Sequence, residues 1–190
     1  IQDYIEKIIG KRSPLSDTPF YIEKEDKKMR LETAFQWTSG TETIVHSYAN
    51  AIKTVDGGSH ENGFRNGTTK ALRSYIDRRK LLPKGINNIT GDDVREGLIA
   101  IINVYLQGDV EFQGQTKGRL NSDITSQVES VVKHSLEHYL LENQTMGDLI
   151  ANRVILSAQA RIASRQAKEA VQRKTNISHR LNLPGKLSDC

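Results

Sequence analysis

The segment "TGDDVREGLIAIINVYL", residues 90–106, decides the fold. From Leu98 to Leu106 it is apolar on both faces of a strand, with only Asn103 interrupting the run. A strand with two apolar faces is typical of the covered centre of a sheet, and this one is far shorter than the roughly 20 residues of a membrane span. Before it, Thr90 and Asp93 have the spacing of a capping box, which predicts a short helix that ends at Gly97.

Three strand-like runs precede this segment. They are "FYIEKE" from Phe20, "MRLETAFQW" from Met29 and "ETIVHSYANAIKTV" from Glu42. The second run alternates apolar and polar residues, which indicates one wet face, and "TSGTE" around Gly40 predicts a hairpin between the second and third runs. Together with the helical patterns elsewhere, these runs predict an α+β domain in which helices cover one face of a mainly antiparallel sheet.

Two further segments predict helices. In "VDGGSHENGF", residues 55–64, Gly57 and Gly58 allow a sharp reversal and Ser59 could cap the helix that follows. A glycine pair before a helix could also cradle a phosphate, but the lysine and the spacing of a Walker loop are missing. From Asn121 the period becomes helical, and the last helix continues without Gly or Pro to about Lys174.

Composition excludes several kinds of site. The single cysteine, Cys190, rules out a disulfide framework and a cysteine-ligated zinc site, and no histidine pair has the spacing of H-E-x-x-H, so no metal site is expected. We expect a cytoplasmic protein that does not enter a membrane. Residues 153–186 hold eight basic residues and one acidic residue, which suggests a polyanion near the last helix, although a solvated basic helix face is an equally good interpretation.

The loop in "VEFQGQTKGRL", residues 110–120, has an unusual composition. If it is extended, Gln115 and Lys117 point the same way, because residues two apart share a face. An amide and an ammonium that converge suit an anion with several oxygens, such as a terminal phosphate, and Gly114 and Gly118 would let the backbone approach it. Composition alone favours an ordinary exposed turn. The chain shows no other element of a nucleotide site, so any nucleotide would belong to another domain.

Four segments carry a family resemblance. They are "DGGSHENGFRNG", "TGDDVREGLIAIINV", "EFQGQTKGRL" and "LPGKLSDC", and they occur in the family's order across about residues 20–190. They resemble the B subunits of bacterial type IIA DNA topoisomerases, most closely those of DNA gyrase and next those of topoisomerase IV. The resemblance implies the transducer part of the ATPase region.

The resemblance also implies a fold and a domain order. The expected fold is a four-stranded sheet with a left-handed βαβ crossover, similar to the second domain of the fifth small-subunit ribosomal protein, followed by long C-terminal helices. Residues 1–19 would be a helix and linker from a preceding GHKL-type ATPase domain, and residues 20–120 the α+β transducer domain. Residues 121–175 would be a helical extension, and residues 176–190 a linker toward a TOPRIM domain.

In function, the resemblance implies ATP-driven DNA strand passage and supercoiling in the bacterial cytoplasm. Gln115 and Lys117 would contact the γ-phosphate of ATP, held with Mg²⁺ by the GHKL domain, and Lys117 would act catalytically. We expect both side chains to be exposed and mobile without that domain. The partners would be the two flanking domains, the topoisomerase A subunit in an A2B2 heterotetramer, and double-stranded DNA. The residues that would contact DNA are Arg73, Arg153, Arg161, Arg165 and Lys168.

Three alternatives remain open. The chain could be a nucleic-acid-binding module with no nucleotide role, since the fold and the basic helix suit that function as well. It could belong to the B subunit of a topoisomerase IV, which decatenates DNA. It could also belong to another GHKL-type ATPase, of the mismatch-repair or chaperone kind, although "LPGKLSDC" resembles the approach to a TOPRIM domain.

Overall fold

The apolar strand lies third of five in a mixed sheet, as its two apolar faces predict. The computed structural model describes the backbone of residues 1–181 and the side chains of residues 1–172. In spatial order the strands are β1 (Phe20–Glu25), β2 (Met29–Trp37), β5 (Leu98–Leu106), β3 (Ile44–Ala49) and β4 (Ile52–Lys53). β5 is antiparallel to β2 and parallel to β3, while the β1–β2 and β3–β4 pairs are antiparallel.

Two predictions about the strands are wrong. β2 and β3 do not form a hairpin, because β5 lies between them and so gains a neighbour on each edge. The sheet has five strands rather than four, since the third run reverses at Asn50 and Ala51, whose φ angles of 49° and 63° are both positive. Two positive φ angles in a two-residue loop are what a tight hairpin needs. The Asn50 side chain stabilises this turn by bonding both the backbone N–H and the carbonyl of Leu106.

Five helices and a small hairpin complete the described part of the chain. Thr90 and Asp93 form the predicted capping box at the start of the third helix, and Gly97 follows that helix with a φ of 77°. The hairpin consists of two-residue strands, β6 (Phe112–Gln113) and β7 (Arg119–Leu120). The helices are α1 (Gln2–Ile9), α2 (Ser59–Arg79), α3 (Gly91–Arg95), α4 (Thr125–Glu142) and α5 (Gln144–Leu181).

Helices cover both faces of the sheet, so the prediction of helices on one face alone is wrong. Ala100 and Ile102 of β5 face the larger core, which includes residues of α2, α4 and the first half of α5. Ile99 and Ile101 face the opposite side and pack against Ile5 of α1. The alternation of side chains along β5 therefore explains why both of its faces are apolar.

The core continues across the predicted boundary between residues 120 and 121. Val128, Val132 and Leu136 of α4 are fully buried in the same cluster as the sheet, so α4 packs within the domain. α5 extends through Leu181, into the predicted linker 176–190, and residues 182–190 lie outside the described part of the chain. β3 and β5 are neighbouring parallel strands joined through α2 and α3, which is a βαβ unit. Its left hand stays a prediction.

Candidate functional site

The loop with Gln115 and Lys117 forms the tip of the β6–β7 hairpin. The Lys117 N–H donates to the Gly114 carbonyl at 3.3 Å, and both residues have positive φ angles, of 53° and 71°. The prediction of an extended segment is wrong, because five residues that join two paired strands must reverse the chain direction. Period-two geometry therefore does not set the directions of Gln115 and Lys117. Both side chains are exposed at the tip, as expected.

The Lys117 ammonium has no acidic partner among the described residues. Its Nζ atom lies 5.7 Å from the centre of the Phe112 ring, within the range of a cation–π contact. A cleft of about 600 Å³ opens near the base of the hairpin, with Lys53 and Arg119 among its lining residues. Within residues 1–172, neither of these cations forms an ion pair, which leaves positive charge on this side of the molecule.

The base of the hairpin rests on the loop before α2. The Asp56 N–H donates to the Gly118 carbonyl at 2.9 Å, and the Leu120 N–H donates to the Gly57 carbonyl at 3.1 Å. A side chain at Gly58, where φ is 147°, would place its Cβ 2.5 Å from the Leu120 carbonyl oxygen. Glycine is therefore required at Gly58, and the two segments quoted as "DGGSHENGFRNG" and "EFQGQTKGRL" meet in one structure.

Ser59 does not cap α2, which corrects the sequence-based prediction. The N-cap position belongs to Gly58, and no side chain caps this helix. The Ser59 hydroxyl instead donates to the Ser122 carbonyl, just beyond β7. Its role is to fasten the start of α2 to the chain that leaves the hairpin.

A buried polar network lies behind the Gly57–Gly58 loop. The Ser47 hydroxyl donates to Glu61 Oε2 at 3.0 Å and lies 2.8 Å from the Thr54 hydroxyl. The Thr54 hydroxyl lies 3.1 Å from Nε2 of His60, which is fully buried. Burial lowers the pKa of His60 to about 4, so its ring is neutral near pH 7. The Glu61 carboxylate also forms an ion pair with Arg65.

Little in the sequence indicates this network. Ser47 and Thr54 lie on a strand and a loop of ordinary composition, and an acid in the first turn of a helix is usually explained by the helix dipole. Only the position of His60 and Glu61, shortly after two glycines, distinguishes them in the sequence. The network depends on β3 lying beside the start of α2, and this proximity comes from the sheet order.

Three of the five residues expected to contact DNA have partners within the fold. Arg73 donates to the Ile89 carbonyl, and Arg153 pairs with Glu96 at 3.1 Å. Arg161 pairs with Asp93 at 2.7 Å, and Asp93 is 2% exposed.

Burial alone would raise the pKa of the Asp93 carboxyl, but hydrogen bonds from Arg161 and Thr90 outweigh it and lower that pKa. Arg165 and Lys168 are exposed farther along α5. Arg165 has only Glu169, one helical turn later, as an ionic partner among the described residues.

The described residues contain no group of three or more His, Cys, Asp or Glu side chains that could hold a metal ion. Their helices also include none long and apolar enough to cross a membrane. The exposed Gln115 amide and Lys117 ammonium suit phosphate oxygens, because both are hydrogen-bond donors and no described carboxylate competes for Lys117. This part of the chain therefore fits the terminal phosphate of a nucleotide and supplies no magnesium ligand set.

Comparison with known proteins gives a consistent family. The model of the DNA gyrase B family matches residues 1–170. The DNA gyrase B subunit of Eisenibacter elegans is 42% identical over 191 residues, which cover 100% of this chain and 40% of that protein. The corresponding protein of Staphylococcus epidermidis is 36% identical over 191 residues, 29% of its length. The chain thus spans less than half of the relatives that it matches.

Two solved structures share the fold. The 43K ATPase domain of Thermus thermophilus gyrase B, in complex with an aminocoumarin, has a TM-score of 0.82 and 30% identity over 90% of this chain and 46% of that one. The ATP-binding domain of Francisella tularensis topoisomerase IV has a TM-score of 0.74 and 30% identity over 85% of this chain and 43% of that one. Both neighbours are ATPase regions, and this chain aligns with less than half of each.

Proposed function

The chain belongs to the DNA gyrase B family, and we propose that it is the transducer segment of the B subunit of an ATP-dependent type IIA DNA topoisomerase. The observation that carries this proposal is the β6–β7 hairpin, which presents Gln115 and Lys117 to solvent at its tip. A hairpin fixed at its base and exposed at its tip can reach a ligand held by another domain.

Lys117 is the proposed catalytic residue. Negative charge grows on the terminal phosphoryl group and on its leaving oxygen during hydrolysis, and a positioned ammonium stabilises that charge. Gln115 would donate an amide N–H to the same phosphate and set its orientation. ATP and Mg²⁺ would be bound by a preceding GHKL-type domain, which supplies the activated phosphate. The present residues contribute the two donors and the scaffold behind them.

Coupling follows from the difference between ATP and ADP. A hairpin that contacts the terminal phosphate favours one arrangement of the two domains while that phosphate is present, and loses this preference after hydrolysis. In the complete enzyme, ATP would close a gate on a DNA segment, and hydrolysis would reopen it. The proposed partners are the GHKL and TOPRIM domains, the topoisomerase A subunit in an A2B2 assembly, and duplex DNA.

The proposed domain limits are residues 1–19, 20–120, 121–175 and 176–190. Supercoiling by a gyrase is the preferred activity because relatives of that name are 36–42% identical across the chain. Decatenation by a topoisomerase IV is the second candidate, favoured by the structural neighbour at a TM-score of 0.74. Relaxed-plasmid supercoiling and catenane-unlinking assays with the reconstituted enzyme distinguish the two.

The test of the proposed function is ATP hydrolysis by the full-length B subunit. We expect Lys117→Ala to lower turnover by about 10²-fold, comparable to losing one preorganised donor to a developing charge. Thr116→Ala is the matched control, because Thr116 is an exposed neighbour in the same turn, and it should keep turnover within about twofold. Near-normal hydrolysis by the Lys117→Ala protein would refute the proposed mechanism.

A further inference from the structure

The Glu61 carboxylate lies between α2, β3 and the loop that carries the hairpin. Its Oε2 atom accepts a hydrogen bond from Ser47 on β3, and the same carboxylate pairs with Arg65 one turn along α2. A Cβ atom added to Gly57 would lie 2.7 Å from Oε2, so the backbone of that loop rests directly against the carboxylate. Glu61 is only 8% exposed and cannot itself contact a nucleotide held by another domain.

From Gly57 the contacts lead directly to the base of the β6–β7 hairpin. The Gly57 carbonyl accepts the Leu120 N–H, and the neighbouring Asp56 N–H donates to the carbonyl of Gly118. Gly118 is bonded to Lys117, whose backbone direction depends on where β7 begins. A shift of the loop away from Glu61 would therefore move the base of the hairpin and the ammonium together.

We propose that Glu61 is a positioning residue for phosphate sensing, which acts through the Gly57–Gly58 loop to fix the place of Lys117. This inference rests on the proposed function of Lys117. The charge of Glu61 is needed because a neutral side chain of the same shape leaves Arg65 unpaired and loses an acceptor for Ser47. Loss of that anchor leaves the loop held only by its backbone bonds, and small misplacements of a catalytic group are costly.

Glu61→Gln keeps the size of the side chain and removes its charge. In the full-length B subunit we expect the variant to lower kcat for ATP hydrolysis about tenfold, with KM changed by less than about twofold, because the affected contact strengthens as the phosphoryl group departs. Combined with Lys117→Ala, the same change should lower kcat by less than about twofold further, since residues that act as a unit are not additive.

Asp93→Asn provides the matched control. Asp93 is also a buried, arginine-paired carboxylate, but it lies at the start of α3 and contacts α5 instead of the hairpin. Its loss should reduce kcat by the same factor with or without Lys117. Ser47→Ala is a milder variant, which removes one hydroxyl and should give a smaller loss of kcat with the same dependence on Lys117. Equal losses for Glu61→Gln in the two backgrounds, or no loss, would overturn the proposal.

Hydrogen exchange of the full-length protein tests the seat of the hairpin without catalysis. Glu61→Gln should speed the exchange of the peptide that contains the Leu120 amide, because that N–H donates to Gly57, whereas Lys117→Ala should leave it unchanged. Unchanged exchange in Glu61→Gln would refute the positioning role. Normal hydrolysis by Lys117→Ala would instead refute the proposed function, so the two failures give different results.

Discussion

His60 shows what burial does to a single residue. It is fully buried, its Nε2 faces the Thr54 hydroxyl, and burial lowers the pKa of its ring to about 4. An unfolded chain would bind a proton at His60 below about pH 6.5, while the folded chain stays neutral there until about pH 4. The unfolded state then holds more protons, so acid favours unfolding. The stability that neutral His60 contributes is complete above about pH 6.5 and is lost as the pH falls toward about 4.

The predicted loss is on the order of 3 kcal/mol for the full shift, at about 1.4 kcal/mol per pKa unit. We expect the free energy of unfolding by urea to decrease between pH 7 and pH 5, and His60→Gln to flatten that slope because glutamine does not titrate. Comparing slopes separates the proton effect from any uniform cost of the substitution. Parallel pH profiles for the two proteins would contradict this account.

Residues such as His60 and Glu61 mark the limit of what the sequence reveals. Gln115 and Lys117 could be named in advance because the resemblance singled them out, and their exposure at the tip of the hairpin is confirmed. The residues behind them could not be named, because their partners come from β3 and from the loop before α2. A polar side chain becomes a network member only when the fold brings its partner within hydrogen-bond distance.

At the scale of elements, α2 and α4 make an unusually close pair. Gly63 and Gly67 lie one turn apart on α2, and a Cβ atom at Gly67 would be 2.7 Å from the Glu129 carbonyl oxygen and 3.0 Å from the Cβ of Val132. α4 begins a few residues after β7, so this contact joins the hairpin to the core. The glycines of "ENGFRNG" thus let two helix backbones approach each other.

Gly67→Ala is expected to destabilise the protein, although alanine favours a helix over glycine by about 1 kcal/mol. The clash with α4 costs about 1–3 kcal/mol, as overpacking of a core usually does, and it should outweigh the gain in helix propensity. Thermal unfolding measures the result. Gly40→Ala is the control, because its nearest contact would be 3.6 Å, and it should change the stability by less than about 0.5 kcal/mol. A higher Tm for Gly67→Ala would show that the helices can separate at little cost.

The elements themselves were predictable where local physics decides. The capping box at Thr90 and the central place of β5 followed from spacing and apolar character, and both are confirmed. The supposed hairpin between β2 and β3 failed because turn residues do not reveal which strand will later insert between two others. The role of α1 was missed for the same reason, since its buried Ile5 meets β5 nearly a hundred residues later.

For the whole molecule, the basic residues of α5 divide into two groups. Arg153 and Arg161 hold the helix to Glu96 and Asp93, near α3, whereas Arg165 and Lys168 are exposed beyond those contacts. Binding to a phosphate backbone needs cations that can reach it. We therefore propose Arg165 and Lys168 as the DNA-facing pair, and we expect Arg161→Ala to act mainly on stability, because it leaves the buried Asp93 without its ionic partner.

The salt dependence of DNA binding by the full-length B subunit tests this division. Each phosphate contact that is lost should reduce the slope of log K against log salt by about 0.9, so the double variant of Arg165→Ala and Lys168→Ala should reduce it by about 1–2. Lys24→Ala with Lys27→Ala removes the same charge near the end of β1 and should change the slope little. Equal effects of the two pairs would mean that net charge alone drives binding. An unchanged slope in the α5 pair would instead exclude this helix from the DNA path, and the uneven charge would then serve only to solvate the helix.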